Sequence, residues 1–149
     1  GLVYAFASHF SPNSPLSAVA AYRESFVPSD DFPEPHFILA IAAVCADTDS
    51  EADYLARTMD LVSVQLYRGE FGRIPSPQEA AEYPYTEAER RIAESRRSLL
   101  LVGTPAALKE RIEALALETG AREVMISSII HDPEARLRSY ELLGRALIE

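Results

Sequence analysis

Three stretches of the chain are almost continuously apolar: LVYAFAS (2–8), FILAIAAVCA (37–46) and EVMISSII (123–130). Their length and flanking turn residues predict strands rather than helices, and the lack of alternation predicts burial on both faces, as in parallel sheets. Between and after them, apolar residues recur at helical spacing. The first such segment opens on Ser14 as N-cap with Pro15 behind it, carries Leu16, Val19, Ala20 and Phe26, and is closed by Pro28. The second opens on Thr48 with Glu51 three residues on, runs through Ala52, Leu55, Ala56, Met59, Val62 and Leu66, and ends near Gly69.

Residues 70–85, EFGRIPSPQEAAEYPY, break both periodicities with three prolines and a glycine. A loop is predicted there, weakly packed, with one helical turn over 78–82. Residues 86–98 then predict a solvated helix in which Glu87 faces Arg91 and Arg90 faces Glu94, so its four arginines are read as ion-pairing partners rather than an anion site. LLLVGTP (99–105) is a short extended piece leading to Thr104 as cap and Pro105. Leu108, Ile112 and Leu115 share the inner face of the next helix, which Gly120 terminates. A last helix starts at Asp132 and Pro133, with Leu137, Tyr140, Gly144 and Leu147 on one face. The predicted order is β-α-β-α-loop-α-α-β-α, one α/β unit over 1–149.

Composition narrows the partners. Fourteen basic residues against 23 acidic give a net charge of −9 in 149 residues, with no basic run, so nucleic acid is not an expected partner. The longest apolar run falls short of the ~20 residues that span a bilayer, so no membrane partner is expected either. A single cysteine, Cys45, allows no internal disulfide and fits no zinc spacing; a reducing, cytoplasmic setting and no metal are expected. The chain opens on Gly1 straight into a strand, without leader or initiator Met, as a chain entered midway would.

In parallel sheets, ligands gather beyond the carboxyl ends of the strands. That edge carries Ser8 and His9 after the first strand, Asp47 and Thr48 after the second, and His131 and Asp132 after the third. Helix capping accounts for Asp47, Thr48 and Asp132. Ser8, His9 and His131 are left without a structural assignment, and His9 admits two readings: the polar end of a core strand, or a chemical group. His36 precedes its strand, at the opposite edge, and is read as structural. Ser127 and Ser128 lie within a strand, so at most one faces a pocket. No nucleophile elbow, phosphate-binding glycine loop, dinucleotide fingerprint, HExxH or CxxC is present.

The segments GLVYAFASHFSP, ADTDSEADYLA, LVGTPAALKERIEAL and EVMISSIIHDPEARLRSYELL, in this order and spacing, resemble the C-terminal part of luciferase-like flavin monooxygenases. The likeness covers essentially the whole chain and is closest to the alkanal monooxygenase-like group. It implies a partial (β/α)8 TIM barrel, here the last three parallel strands with their helices, since a complete barrel needs roughly 250 residues. It implies FMN as cofactor, with Ala7, Ser8 and His9 lining the isoalloxazine pocket and His131 at the substrate mouth. Pocket lining describes His9 better than general base. The resemblance further implies that the phosphate site and the first five strands lie outside this chain.

The expected function is therefore that of a C-terminal fragment of a flavin-dependent monooxygenase, one that oxidises an aldehyde or other small organic substrate with O2 and reduced FMN and is inactive alone. A non-enzymatic half-barrel that stabilises an assembly is the alternative. Expected partners are the missing N-terminal half of the barrel or a second copy, with a flavin reductase serving the full enzyme. A homodimer would pack the apolar sheet through contacts near Phe6, Ile41, Val44 and Ile126.

Overall fold

The computed structural model describes residues 1–11 and 13–148. Four strands, β1 (Tyr4–Ala7), β2 (Phe37–Cys45), β3 (Leu100–Gly103) and β4 (Glu123–Ser127), form one open parallel sheet. The helices are α1 (Pro15–Ser25), α2 (Asp49–Tyr67), α3 (Pro77–Glu82), α4 (Glu87–Arg97), α5 (Pro105–Thr119) and α6 (Pro133–Ile148).

β2 is the axis of the sheet. Residues 37–40 pair with β1, 42–45 with β3 and 38–42 with β4. Ala40 is partnered by both Ala7 and Met125, and Ala42 by both Leu100 and Ser127. A strand has only two edges, so β4 occupies one and β1 and β3 share the other, β3 taking over where β1 turns away. The extended piece at 99–105 is thus a fourth strand. It becomes one only through its pairing with the second half of β2.

β2 alternates its side chains between two helical layers. Leu39, Ile41, Ala43 and Cys45 pack against the layer that includes Val19, Leu108, Ile112, Leu142 and Leu143 of α1, α5 and α6. Ala42, Val44 and Ala46 face Ala52, Leu55 and Ala56 of α2, with Leu100 and Ile130. Each fully buried aliphatic side chain here contributes about 1.5–3 kcal/mol relative to exposure.

Only β2 meets the expectation of burial on both faces. β1 and β4 alternate between half-buried and exposed positions, with Ala5, Ala7 and Met125 exposed. α2 covers the far half of that face, beside β3, and nothing among the described residues covers the near half. Ile41 and Val44, 4% and 0% exposed, already lie within the core and cannot form a contact surface between copies. Phe6 and Ile126 pack onto the α5–α6 side.

Caps set the helix ends. Ser14 Oγ accepts from Leu16 N at 3.2 Å, and Thr48 Oγ1 from Glu51 N at 3.2 Å. Gly120, at φ 62°, closes α5 in the left-handed region. Two helix faces differ from expectation. α1 packs through Val19 and Tyr22 while Leu16 is exposed, and α6 turns Ser139, Leu142 and Leu143 inward, leaving Leu137 and Tyr140 outside.

The excursion between α2 and β3 is better packed than its prolines suggest. Thr58, fully buried on α2, donates to the Pro75 carbonyl at 3.2 Å. Capping boxes Ser76/Glu79 and Thr86/Glu89 start α3 and α4. The Glu89 carboxylate accepts from Thr86 N and Oγ1 and pairs with Arg68, and the Thr86 N–H bond above all holds it below the usual carboxylate range. The longest exposed run of the excursion is 70–73, around Phe71 and Gly72.

Candidate functional site

At the carboxyl end of β1 the chain leaves the sheet in a tight turn. Phe10 N donates to Ala7 O at 3.0 Å, and Ser8 N donates to Ala40 O at 2.9 Å. His9 Nδ1 lies 3.2 Å from the same Ala40 oxygen. A carbonyl can only accept, so Nδ1 carries the proton in this contact, and in the neutral ring Nε2 is left as an acceptor. The imidazole rests on Phe10, ring centroids 4.2 Å apart.

His9 and Phe10 form one wall of a cavity of about 180 Å3. α2 supplies Met59, Ser63, Leu66 and Tyr67, and α4 supplies Ile92 and Arg96. The Ser63 hydroxyl is spent on Met59 O at 2.6 Å within its own helix. Arg96 Nη1 donates to Phe10 O at 3.1 Å, tying α4 to the turn that carries His9.

Beside this turn lies the uncovered part of the sheet. Parallel pairing points partnered side chains to the same face, so Ala5 stands with Ile38, and Ala7 with Ala40. From the other edge of β2, Met125 joins Ala40. Ala5 and Ala7 are exposed, and Met125 is 59% exposed. The result is an apolar strip, short at Ala5, Ala7 and Ala40 and longer at Ile38 and Met125, with His9 at its end.

Of the residues singled out in the sequence, Ala7, Ser8 and His9 are brought together in this turn. His131 lies elsewhere on the carboxyl edge and is not in the wall of the His9 cavity. Its Nδ1 donates to Ile74 O at 2.7 Å, anchoring the excursion to the end of β4. Asp132 caps α6 through Ala135 N at 2.7 Å, and Asp47 pairs with Arg138 at 3.0 Å. Ser128 Oγ donates to Ala43 O at 2.6 Å and Ser127 Oγ leans on Ile41 O at 3.5 Å, so both hydroxyls hold β4 to β2. His36 Nε2 meets Glu123 Oε1 at 2.5 Å, a structural bridge at the far edge.

The sequence did not point to Met59, Ser63, Ile92 or Arg96 as neighbours of His9. Met59 read as part of the inner stripe of a helix, and Arg96 as one of four surface arginines. Their convergence on His9 depends on how the excursion folds back.

No family model matches the chain. A luciferase-like monooxygenase of Escherichia coli is 34% identical over 142 residues, which are 95% of this chain and 42% of that protein. The uncharacterized protein YceB of Bacillus subtilis is 33% identical over 148 residues, 99% of this chain and 45% of that protein. The crystal structure of apo-MsnO8 superposes with a TM-score of 0.86 at 33% identity, covering 99% of this chain and 45% of that one. The oxygenating constituent of 3,6-diketocamphane monooxygenase from Pseudomonas putida, solved in complex with FMN, matches at a TM-score of 0.53 and 19% identity over 97% of this chain and 41% of that one, a likeness of fold alone. The sheet, its parallel order and these relatives agree: the chain matches the C-terminal part of luciferase-like monooxygenases and spans less than half the length of the relatives it matches.

Proposed function

We propose that this chain is the C-terminal portion of an FMN-dependent monooxygenase barrel and forms one wall of its flavin cavity. The observation that carries this is the exposed pair Ala5 and Ala7 on β1, beside the buried Ala40 of β2 and edged by His9. A planar ring system needs a flat apolar floor that longer side chains would fill, and methyl groups supply one. Bound reduced FMN supplies the electrons and the site of oxygen activation.

In this reading Ala7 would line the floor of the flavin pocket. Ser8 fixes the turn through its amide, and His9 presents Nε2 at the ring's edge while its Nδ1–H is held by Ala40 O. His9 orients and lines; its Nδ1 proton is committed to the carbonyl. Met59, Leu66 and Ile92 keep water from the adjoining space. His131 holds Ile74, and with it the segment that closes the mouth of the pocket. The phosphate site, and the other walls, would come from the rest of the barrel. The chain alone therefore turns over no aldehyde.

The test joins this chain to the preceding part of the Escherichia coli relative, in place of that protein's own C-terminal part, and titrates FMN by fluorescence. The joined barrel binds FMN, and Ala7→Trp, which fills the floor, weakens binding by about tenfold or more while the far-ultraviolet circular dichroism is unchanged. FMN affinity untouched by Ala7→Trp, or a folded joined barrel that binds no FMN, contradicts the reading.

A further inference from the structure

The cavity beside His9 is apolar on most of its wall and cationic at one point. Met59, Leu66, Ile92 and Phe10 give it a hydrocarbon lining, and Arg96 stands at its rim. Two of the other three α4 arginines are matched: Arg91 meets Glu87 at 2.7 Å, and Arg97 meets Asp53 at 2.6 Å and Asp60 at 3.5 Å. Among the described residues Arg96 has no carboxylate partner, only the Phe10 carbonyl at 3.1 Å. A guanidinium carries five N–H donors, so most remain available, and they are directed in a planar fork suited to a carboxylate. Arg57, Arg90 and Arg111 likewise meet no carboxylate among the described residues; what sets Arg96 apart is its place at the edge of an apolar cavity.

We infer that this cavity receives a compact apolar molecule ending in a carboxylate, the hydrocarbon body against Met59, Leu66 and Ile92 and the carboxylate on Arg96. The cavity of about 180 Å3 limits the ligand to a small molecule, for which a six-carbon acid serves as the probe. His9 Nε2, an acceptor in the neutral ring, gives no hydrogen bond to a carboxylate and so leaves the anion to Arg96. The hydrogen bond from Arg96 to Phe10 fixes the guanidinium at the rim before the ligand arrives, which limits the ordering cost of binding. As a statement about substrate class, this inference rests on the proposed flavin-barrel function; as a statement about binding, it concerns this cavity alone.

The experiment titrates the protein, without FMN, with hexanoate, hexan-1-ol and hexylammonium, following the methyl resonances of Met59, Leu66 and Ile92. Hexanoate shifts these signals saturably, hexan-1-ol binds about tenfold more weakly, and hexylammonium binds more weakly still. Arg96→Gln reduces hexanoate affinity to that of hexan-1-ol, and Arg96→Lys retains part of the preference. Equal binding of the three probes, no saturable shift with hexanoate, or hexanoate affinity unchanged in Arg96→Gln overturns the inference. Should Arg96→Gln lose its fold, the order of the three probes on the unsubstituted protein decides. Because FMN is absent, a negative result here leaves the flavin titration untouched, and a failed flavin titration leaves this one standing.

Discussion

His9 and Ala40 are joined by a hydrogen bond of 3.2 Å between the imidazole Nδ1 and the carbonyl oxygen, the same oxygen that receives the Ser8 amide. The turn that ends β1 is thereby held to β2 by two donors at one acceptor. Because Ser8 N still satisfies Ala40 O when the ring is removed, His9→Ala leaves no buried carbonyl orphaned. The expected loss of stability is that of one ordinary hydrogen bond, about 0.5–1.5 kcal/mol in urea unfolding. A loss beyond about 3 kcal/mol would mean that His9 is a core element and not a pocket-lining one.

Leu39 and Met125 lie on the same sheet with opposite surroundings. Leu39 is 1% exposed against the α1, α5 and α6 layer, whereas Met125 is 59% exposed on the uncovered face. Leu39→Ala lowers the unfolding free energy by about 2–5 kcal/mol. Met125→Ala changes it by about 0.5 kcal/mol or less. Comparable losses at both positions, measured by denaturant midpoints, would show that the face carrying Met125 is covered in solution.

Local signals in the sequence placed most elements, because caps and periodicity act within a few residues. Ser14, Thr48, Thr104, Gly120 and Asp132 all stand at helix ends in the structure. Two further capping boxes, SPQE at 76–79 and TEAE at 86–89, carry the same signature and account for the order of the excursion. What escaped was non-local. LLVG becomes β3 only by pairing with β2 more than fifty residues earlier, and His131 acquires its role from Ile74. The apolar runs of β1 and β4 suggested burial on both faces, but what would cover the second face is not among the described residues. At the candidate site, Ala7, Ser8 and His9 were readable from the end of a strand and from the resemblance. Arg96 was not, since nothing in ESRRS distinguishes the arginine that reaches Phe10 from its neighbours.

The contacts of the excursion predict where a protease cuts first. Pro75 and Pro77 are buried and Ile74 is held by His131, whereas 66–73 are exposed around Tyr67 and Phe71. Limited proteolysis with chymotrypsin should nick at Tyr67 or Phe71 before Tyr85. Thr58→Val, which leaves the Pro75 carbonyl without its donor, should speed cleavage within 74–85. Initial cleavage at Tyr85 in the unsubstituted protein would contradict the packing described.

Cys45 gives the chain a defined alkaline response. Burial first, and the Asp47 carboxylate second, push its thiol up to about 11, against the opposing effect of Arg138. In the unfolded chain the thiol ionises at its ordinary, lower pKa. Between those values the folded state binds more protons than the unfolded state, so this contribution is complete below the ordinary thiol pKa and is lost as pH rises toward about 11. Cys45→Ala should flatten the fall in stability over that window. The native thiol should stay unreactive toward a disulfide reagent at pH 8 and react on unfolding; rapid labelling of the folded protein would contradict its burial.

Which surface of the sheet meets the flavin can be measured directly. With alanine methyl groups labelled in the completed barrel and FMN bound, nuclear Overhauser contacts from the two ring methyl groups and the adjacent ring protons report the neighbours directly. The expected result is contacts to the methyl groups of Ala5, Ala7 or Ala40 and none to Ala43, which faces the opposite layer. Bound FMN with no contact to Ala5, Ala7 or Ala40 would contradict the claim that this chain supplies a wall of the flavin cavity.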